Sequence, residues 1–241
     1  MPNKFTYRSE EKELLDKQDI PPQLLFQNLK ELDILNRTIR GHTISLKGIK
    51  QCLTDHHKTY DIVDLGCGSG DVLKVIAHWA RQNKYSVNLT GVDRNADAIS
   101  YLQLHCADYP EITGVTSDYM DYIEGHEGID LVHCSLFCHH LKDDELMRLF
   151  ISFNRHVKTG FILNDLHRSR IAYHIVWLFT RLMNGSVLAK NDGPVSILRG
   201  FRSAELINLL KNANIHNFSI KHEWPFRFLI VGKIVNDDTR A

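Results

Sequence analysis

Asp61-Ile62-Val63-Asp64-Leu65-Gly66-Cys67-Gly68-Ser69-Gly70-Asp71 decides the reading of this chain. Ile62 to Leu65 is an apolar run of the length of a buried strand, and it stops at glycines. Val72, Val75, Ile76 and Trp79 then recur at helical spacing. The glycines between permit a tight strand-to-helix turn in φ values that other residues resist, and they let the backbone approach a ligand. Their spacing is G-x-G-x-G. The dinucleotide pattern G-x-G-x-x-G needs a glycine at position 71, where this chain has Asp71. A carboxylate at a helix N-terminus repels the pyrophosphate that otherwise sits on the free N–H groups there. A ligand with a cationic or zwitterionic part suits this corner better.

Outward from this turn the chain alternates. Val87 to Val92 reads as the next strand and Ala96 to Leu104 as a helix. Strands follow at Ile112 to Val115, Ile129 to Cys134 and Gly160 to Asn164. Between the last two, Asp143 can cap a helix with the stripe Leu146, Leu149, Phe150 and Phe153. Alternation of this kind predicts an α/β fold with right-handed crossovers and a mostly parallel sheet. Ligands on such sheets bind at the carboxyl ends of the strands.

The flanks differ. Residues 1–60 read as a helical cover, with Pro21-Pro22 opening a stripe of Leu25, Leu29 and Leu32. Residues 61–241 form the main domain, with an insertion at about 167–200 after the fifth strand. Within it, residues 171–183 are apolar, with Ile171, Ile175, Leu178, Phe179 and Leu182 on one face; core packing is the first expectation for this stretch, with a lid on an apolar substrate next and an interfacial helix third. A polar link is expected from Asn184 to Pro194, and Ser203 then caps a helix with Leu206, Leu209 and Leu210. Phe218 to Trp224 and Phe228 to Lys233 read as two strands that close the sheet with an antiparallel edge.

Composition limits the function. Of 241 residues, 43% are hydrophobic and 24% charged, which excludes wholesale disorder. Lys+Arg and Asp+Glu are both 29, so the basic excess of a generic nucleic-acid binder is absent. No apolar run reaches the ~20 residues of a membrane span. The start lacks a secretory signal, and five scattered cysteines suit reduced thiols, so a cytoplasmic location is expected.

Two further acids complete a pattern. Asp93 ends the second strand, 27 residues beyond Gly66, where a carboxylate can accept both ribose hydroxyls of an adenosine. Asp118 follows the third strand, where it can accept an adenine amino group while the Tyr119 N–H meets a ring nitrogen. Together with the segment Ile129 to Leu141, these residues resemble the class I S-adenosylmethionine-dependent methyltransferases over about Asp61 to Leu166. The resemblance implies a Rossmann-like sheet of seven strands in order 3-2-1-4-5-7-6, the last antiparallel. It implies S-adenosylmethionine as cofactor and S-adenosylhomocysteine as product. Asp64, Gly66, Cys67, Gly68 and Gly70 would hold the methionine part, Asp93 and Arg94 the ribose side, and Asp118 with Tyr119 the adenine. His133 and Cys134 would end the fourth strand beside the sulfonium.

Three segments carry a finer resemblance: Asp19-Ile20-Pro21-Pro22 through Asn36-Arg37, Asn164-Asp165-Leu166-His167-Arg168 through Tyr173, and Asn191-Asp192-Gly193-Pro194-Val195-Ser196 through Phe201-Arg202. They look like methyltransferases found beside type III polyketide synthases, which methylate oxygens on lipid-tailed phenols or pyrones. The implied partner is a small aromatic or lipid-tailed acceptor, with no nucleic acid; a homodimer is left open.

A phenol has a pKa near ~10, so a general base would help at neutral pH. His140 is the first candidate, His167 the second, and His139 stands beside them. Arg168, Tyr173 and Trp177 are candidates for binding the acceptor. Cys134-x-x-x-Cys138-His139-His140 lacks the paired spacing of a zinc site, so no metal is expected. The rival readings are a nicotinamide-dependent oxidoreductase on a similar sheet, against which Asp71 argues, and a non-catalytic S-adenosylmethionine-binding protein.

Overall fold

A computed structural model describes residues 3–16, 20–182 and 185–234. Asp19, Met183 and Asn184, which the sequence reading used, lie outside the described residues. The sheet has seven strands: β1 (Thr59–Leu65), β2 (Ser86–Asp93), β3 (Ile112–Thr116), β4 (Leu131–Ser135), β5 (Gly160–Leu166), β6 (Phe218–Glu223) and β7 (Arg227–Lys233). Their order is β3-β2-β1-β4-β5-β7-β6, as the resemblance implied. Strands β1 to β5 pair in parallel, and β7 runs antiparallel to both β5 and β6.

The alternation of strands and amphipathic helices builds two layers. On one face lie α2 (Gly41–Cys52), α3 (Asp71–Gln82) and α4 (Ala96–His105), sharing a core with Ile62, Leu89, Ile162 and Leu229. On the other lie α5 (Tyr119–Gly125), α6 (Asp143–His156) and α9 (Ser203–Asn212), around Phe150, Phe153 and Phe161. The caps expected at Asp143 and Ser203 fall one residue inside their helices. Glu145 and Glu205 instead reach back to the backbone N–H of Lys142 and Arg202, at 2.7 and 2.8 Å. Asp143 is left to pair with Arg8.

The remaining helices are α1 (Pro22–Thr38), α7 (Arg170–Leu182) and α8 (Val187–Arg199), and α8 packs against both α1 and α7. Leu25 and Leu29 of α1 pack with Ala98 of α4, and Leu29 sits against the backbone of Gly68. Helix α8 corrects the expected polar link. Gly193 and Pro194 lie inside it, because Ser186 caps its start and Leu188, Val195, Ile197 and Leu198 find buried places. Burial thereby outweighs the helix-breaking cost of a glycine and a proline.

Candidate active site

The turn after β1 is a backbone cradle. Gly66, Gly68 and Gly70 all have positive φ, at 68°, 50° and 72°. A Cβ at Gly66 would collide with the ring of Phe137, and one at Gly70 would lie 2.8 Å from Leu102 Cγ. Register places Asp64 beside His133 and Leu65 beside Cys134.

Asp64 is buried, and its Oδ1 lies 2.7 Å from His133 Nδ1. The other ring nitrogen of His133 is 2.8 Å from Ser45 Oγ, which also accepts from Asn164 Nδ2 at 2.9 Å. Burial pushes the Asp64 carboxyl up, and the charge of His133 only partly opposes it. Asp93 accepts from the N–H of Gly68 at 3.2 Å and of Asn95 at 2.9 Å. Burial raises this carboxyl too, against those two bonds. Each Asp93 oxygen thus has one backbone partner and retains acceptor capacity for a hydroxyl. Arg94 donates to the Asp16 carbonyl at 3.0 Å. Asp118 caps α5 through the Met120 N–H at 2.8 Å, and Tyr119 stands edge-on to Phe137. Asp71 is 2.5 Å from His42 Nε2. Burial works to raise its carboxyl, but the bond and charge of His42 outweigh it and hold it down. Cys67 and Cys134 are buried thiols, both pushed well up by burial. The glycine cradle and the spare acceptors of Asp93 fit the zwitterion and ribose of S-adenosylmethionine.

A second cluster lies past β4, where a short 3-10 turn, Cys138–His140, follows Phe137. His139 is buried; its Nδ1 is 2.7 Å from Asp165 Oδ1, and its Nε2 is 3.6 Å from Glu13 Oε1. Asp165, at the end of β5, also accepts from the N–H groups of His139 and Leu166. Burial would raise Asp165, but His139 outweighs it and the carboxyl is held down. His140 Nδ1 is 2.9 Å from Asp16 Oδ1. Arg199 ties the cluster together, bonding Asp16 Oδ2 at 2.9 Å and the carbonyls of His139 and His140. Asp16 is lowered: burial opposes this, but His140 and Arg199 prevail. Glu13 is buried, its Oε1 has no hydrogen-bond partner, and burial raises its carboxyl to about 7. The turn carrying Glu13 and Asp16 is fixed from α8, where Asp192 accepts from the N–H of Leu14 and Leu15 at 2.8 and 3.0 Å.

Among the described residues, two groups have donor atoms close enough to hold a cation: Glu13, His139 and His140, and Asp33, His42 and Asp71. In the second group His42 already bonds Asp71; in the first, His139 and His140 bond Asp165 and Asp16 outside the group, while Glu13 Oε1 has no hydrogen-bond partner.

The remaining candidates are placed apart. His167 packs against His222 and Phe228, next to β6 and β7. Burial lowers its pKa, aided by His222 and Arg168. Arg168, expected at the acceptor, is a strut instead. It bonds both oxygens of Glu205 and the carbonyls of Phe5, Thr6 and Gly200, which uses its donors within the fold. Tyr173 meets Phe5 edge-on, under Lys4. Trp177 is 41% exposed on the outer side of α7, with Arg181 over its ring. Glu13, Asp16, Asp165 and Arg199 were not picked out as site residues. Only Asp165, two positions before His167 in Asn164-Asp165-Leu166-His167, carried a local signal: an acid at the end of a strand that feeds the site.

Residues 62–160 match the family described as a methyltransferase domain. No curated protein matches the chain in sequence. Among solved structures, the fold is similar to a plantazolicin methyltransferase in complex with S-adenosylhomocysteine, with 12% identity, TM-score 0.64, and coverage of 89% of this chain and 94% of that one. It is similar to human N-acetylserotonin methyltransferase with S-adenosylmethionine, with 15% identity, TM-score 0.65, and coverage of 90% and 57%. A citrinin polyketide synthase CMeT domain aligns at 12% identity and TM-score 0.56, over 78% of this chain and 49% of that one.

Proposed function

We propose that this chain, whose residues 62–160 match a methyltransferase domain, methylates an oxygen of a small, largely apolar acceptor of phenolic or polyketide type, with S-adenosylmethionine as donor. The observation that carries the oxygen assignment is the buried pair of His139 and Asp165 at the rim of β4 and β5. S-adenosylmethionine, when bound, supplies a methyl group on a cationic sulfur that leaves as a neutral thioether.

Every other part of the work falls to the chain. Gly66 to Gly70 and Asp93 hold the donor, and Leu29 of α1 closes over Gly68 to exclude water. Asp165 takes the Nδ1 proton of His139 as a hydrogen bond and leaves Nε2 as the acceptor nitrogen. An acceptor hydroxyl brought to that nitrogen gives up its proton as its oxygen attacks the methyl carbon. His139 therefore takes precedence over His140, because its tautomer is fixed by a carboxylate that also has two backbone donors. His140, held by Asp16, positions the turn.

Incubation with donor labelled with carbon-13 in the methyl group, across phenols, pyrones and amines, tests this reading. A labelled methyl at an O-methyl chemical shift in phenol or pyrone products supports it. Label on nitrogen or carbon, or donor binding without transfer, overturns it.

A further inference from the structure

Helix α7 is built inside out. At ~100° per residue, Ala172, Val176 and Thr180 share one face. That face packs on α8, where a Cβ at Gly193 would lie 2.9 Å from Val176 Cγ1. The inner face is thus made of small side chains meeting a glycine. The large ones point away from the protein: Ile171 is 65% exposed, Ile175 51%, Leu178 50%, Phe179 44% and Leu182 74%. On the helical wheel these five form one stripe roughly 100° wide. A soluble helix of ordinary design would turn them inward.

The next strip of the helix surface is cationic. Arg170, His174 and Arg181 align with Trp177, directly beside the apolar stripe. Arg181 lies over the Trp177 ring, 4.2 Å from its centroid. Residues 170–182 contain no Asp or Glu, and among the described residues neither Arg170 nor Arg181 has a carboxylate partner. Elsewhere the positive residues of this region are committed: Arg168 to Glu205 and Arg199 to Asp16. Val187, at the start of α8, adds 67% exposed apolar surface next along the chain.

We propose that α7 is a membrane-surface helix that docks the protein on an anionic lipid surface. An apolar stripe bordered by arginines and a tryptophan is the arrangement that lies in the headgroup plane. The apolar side chains enter the acyl boundary, and Arg170 and Arg181 meet lipid phosphates. Thirteen residues rise only ~20 Å, so the helix lies on the bilayer rather than crossing it. Among the described residues no helix is long and apolar enough to cross. The charge pattern favours this occupant over a second copy of the chain, because lipid phosphates can pair Arg170 and Arg181, whereas an identical helix face offers them no acid. The inference is independent of which atom is methylated, and it gives an acceptor too apolar for water a place to be met.

The test is flotation of the full chain with vesicles of phosphatidylcholine alone and with phosphatidylglycerol added. Binding to the anionic vesicles is expected, weaker by about tenfold on neutral ones. The double variant Ile175→Glu/Leu178→Glu should lose vesicle binding while keeping the affinity for S-adenosylmethionine, since both side chains are exposed. Arg170→Gln/Arg181→Gln should remove the preference for anionic lipid. No flotation with either vesicle overturns the proposal, as does flotation that survives the glutamate pair. A wild-type dimer that the glutamate pair dissociates, without vesicle binding, also overturns it and assigns the face to a second copy.

Discussion

Two histidines of this protein stand on buried aspartates at the same distance. His133 Nδ1 is 2.7 Å from Asp64, and His139 Nδ1 is 2.7 Å from Asp165. What differs is the far side of each ring. The Nε2 of His133 is satisfied by Ser45, which Asn164 holds in turn. The Nε2 of His139 faces a carboxyl oxygen of Glu13 that has no hydrogen-bond partner. The first ring is a closed strut between β1, β4 and α2. The second keeps its far nitrogen beyond hydrogen-bond distance of Glu13, and that is the nitrogen we propose as the base. A His–Asp pair therefore says little by itself; the partner of the second nitrogen separates structure from chemistry.

Substitutions can break this contrast. His139→Ala should cut methyl transfer by about 10²- to 10⁴-fold, the contribution of a general base, with unchanged affinity for S-adenosylmethionine by calorimetry. The fold should survive, because Asp165 keeps the N–H groups of His139 and Leu166. A variant with full turnover would move the base elsewhere. His133→Leu should act on the fold instead, costing ~3–5 kcal/mol in urea unfolding, since Asp64 would remain buried without its partner. Wild-type stability in that variant would remove the strut.

Smaller effects sharpen the same distinction. The folded Glu13 carboxyl keeps its proton up to about 7, whereas its ordinary value is 4.5, and burial is the cause. Between those values the folded state binds more protons than the unfolded one, so stability should fall as pH rises through the window. Glu13→Gln should lack that slope, which amounts to roughly 3 kcal/mol at most. Parallel pH profiles for the two proteins would place Glu13 in water instead. Ser45→Ala should cost about 1 kcal/mol and leave turnover untouched, as expected for the loss of one bond to a structural ring. A large fall in turnover would mean that His133 also takes part in the reaction.

Much of the fold was legible because periodicity is local. The strand ending at Leu65, the helix from Asp71 and the strand ending at Asp93 each declare themselves within ten residues. The same rules failed from Val187 to Pro194, where Gly193 and Pro194 read as a break but the chain is helical. There, burial of Leu188, Val195, Ile197 and Leu198 outweighed local propensity. Arg168 was misread for the opposite reason. Its charge was visible, but not that Glu205 and three carbonyls would consume it.

The sequence by itself determined the strand and helix alternation, the glycine turn and the acids at the ends of β1, β2 and β3. Each of these is encoded in neighbours that must share a face or a turn. Only the tertiary structure decided that Glu13, from the N-terminal segment, would face His139, that Asp165 would orient it, and that Arg199 of α8 would bind the cluster together. It also decided that the apolar stripe of α7 would point outward. A pattern fixes which side chains of an element lie together. Which way that face turns, and what meets it, depends on packing between segments far apart in the chain.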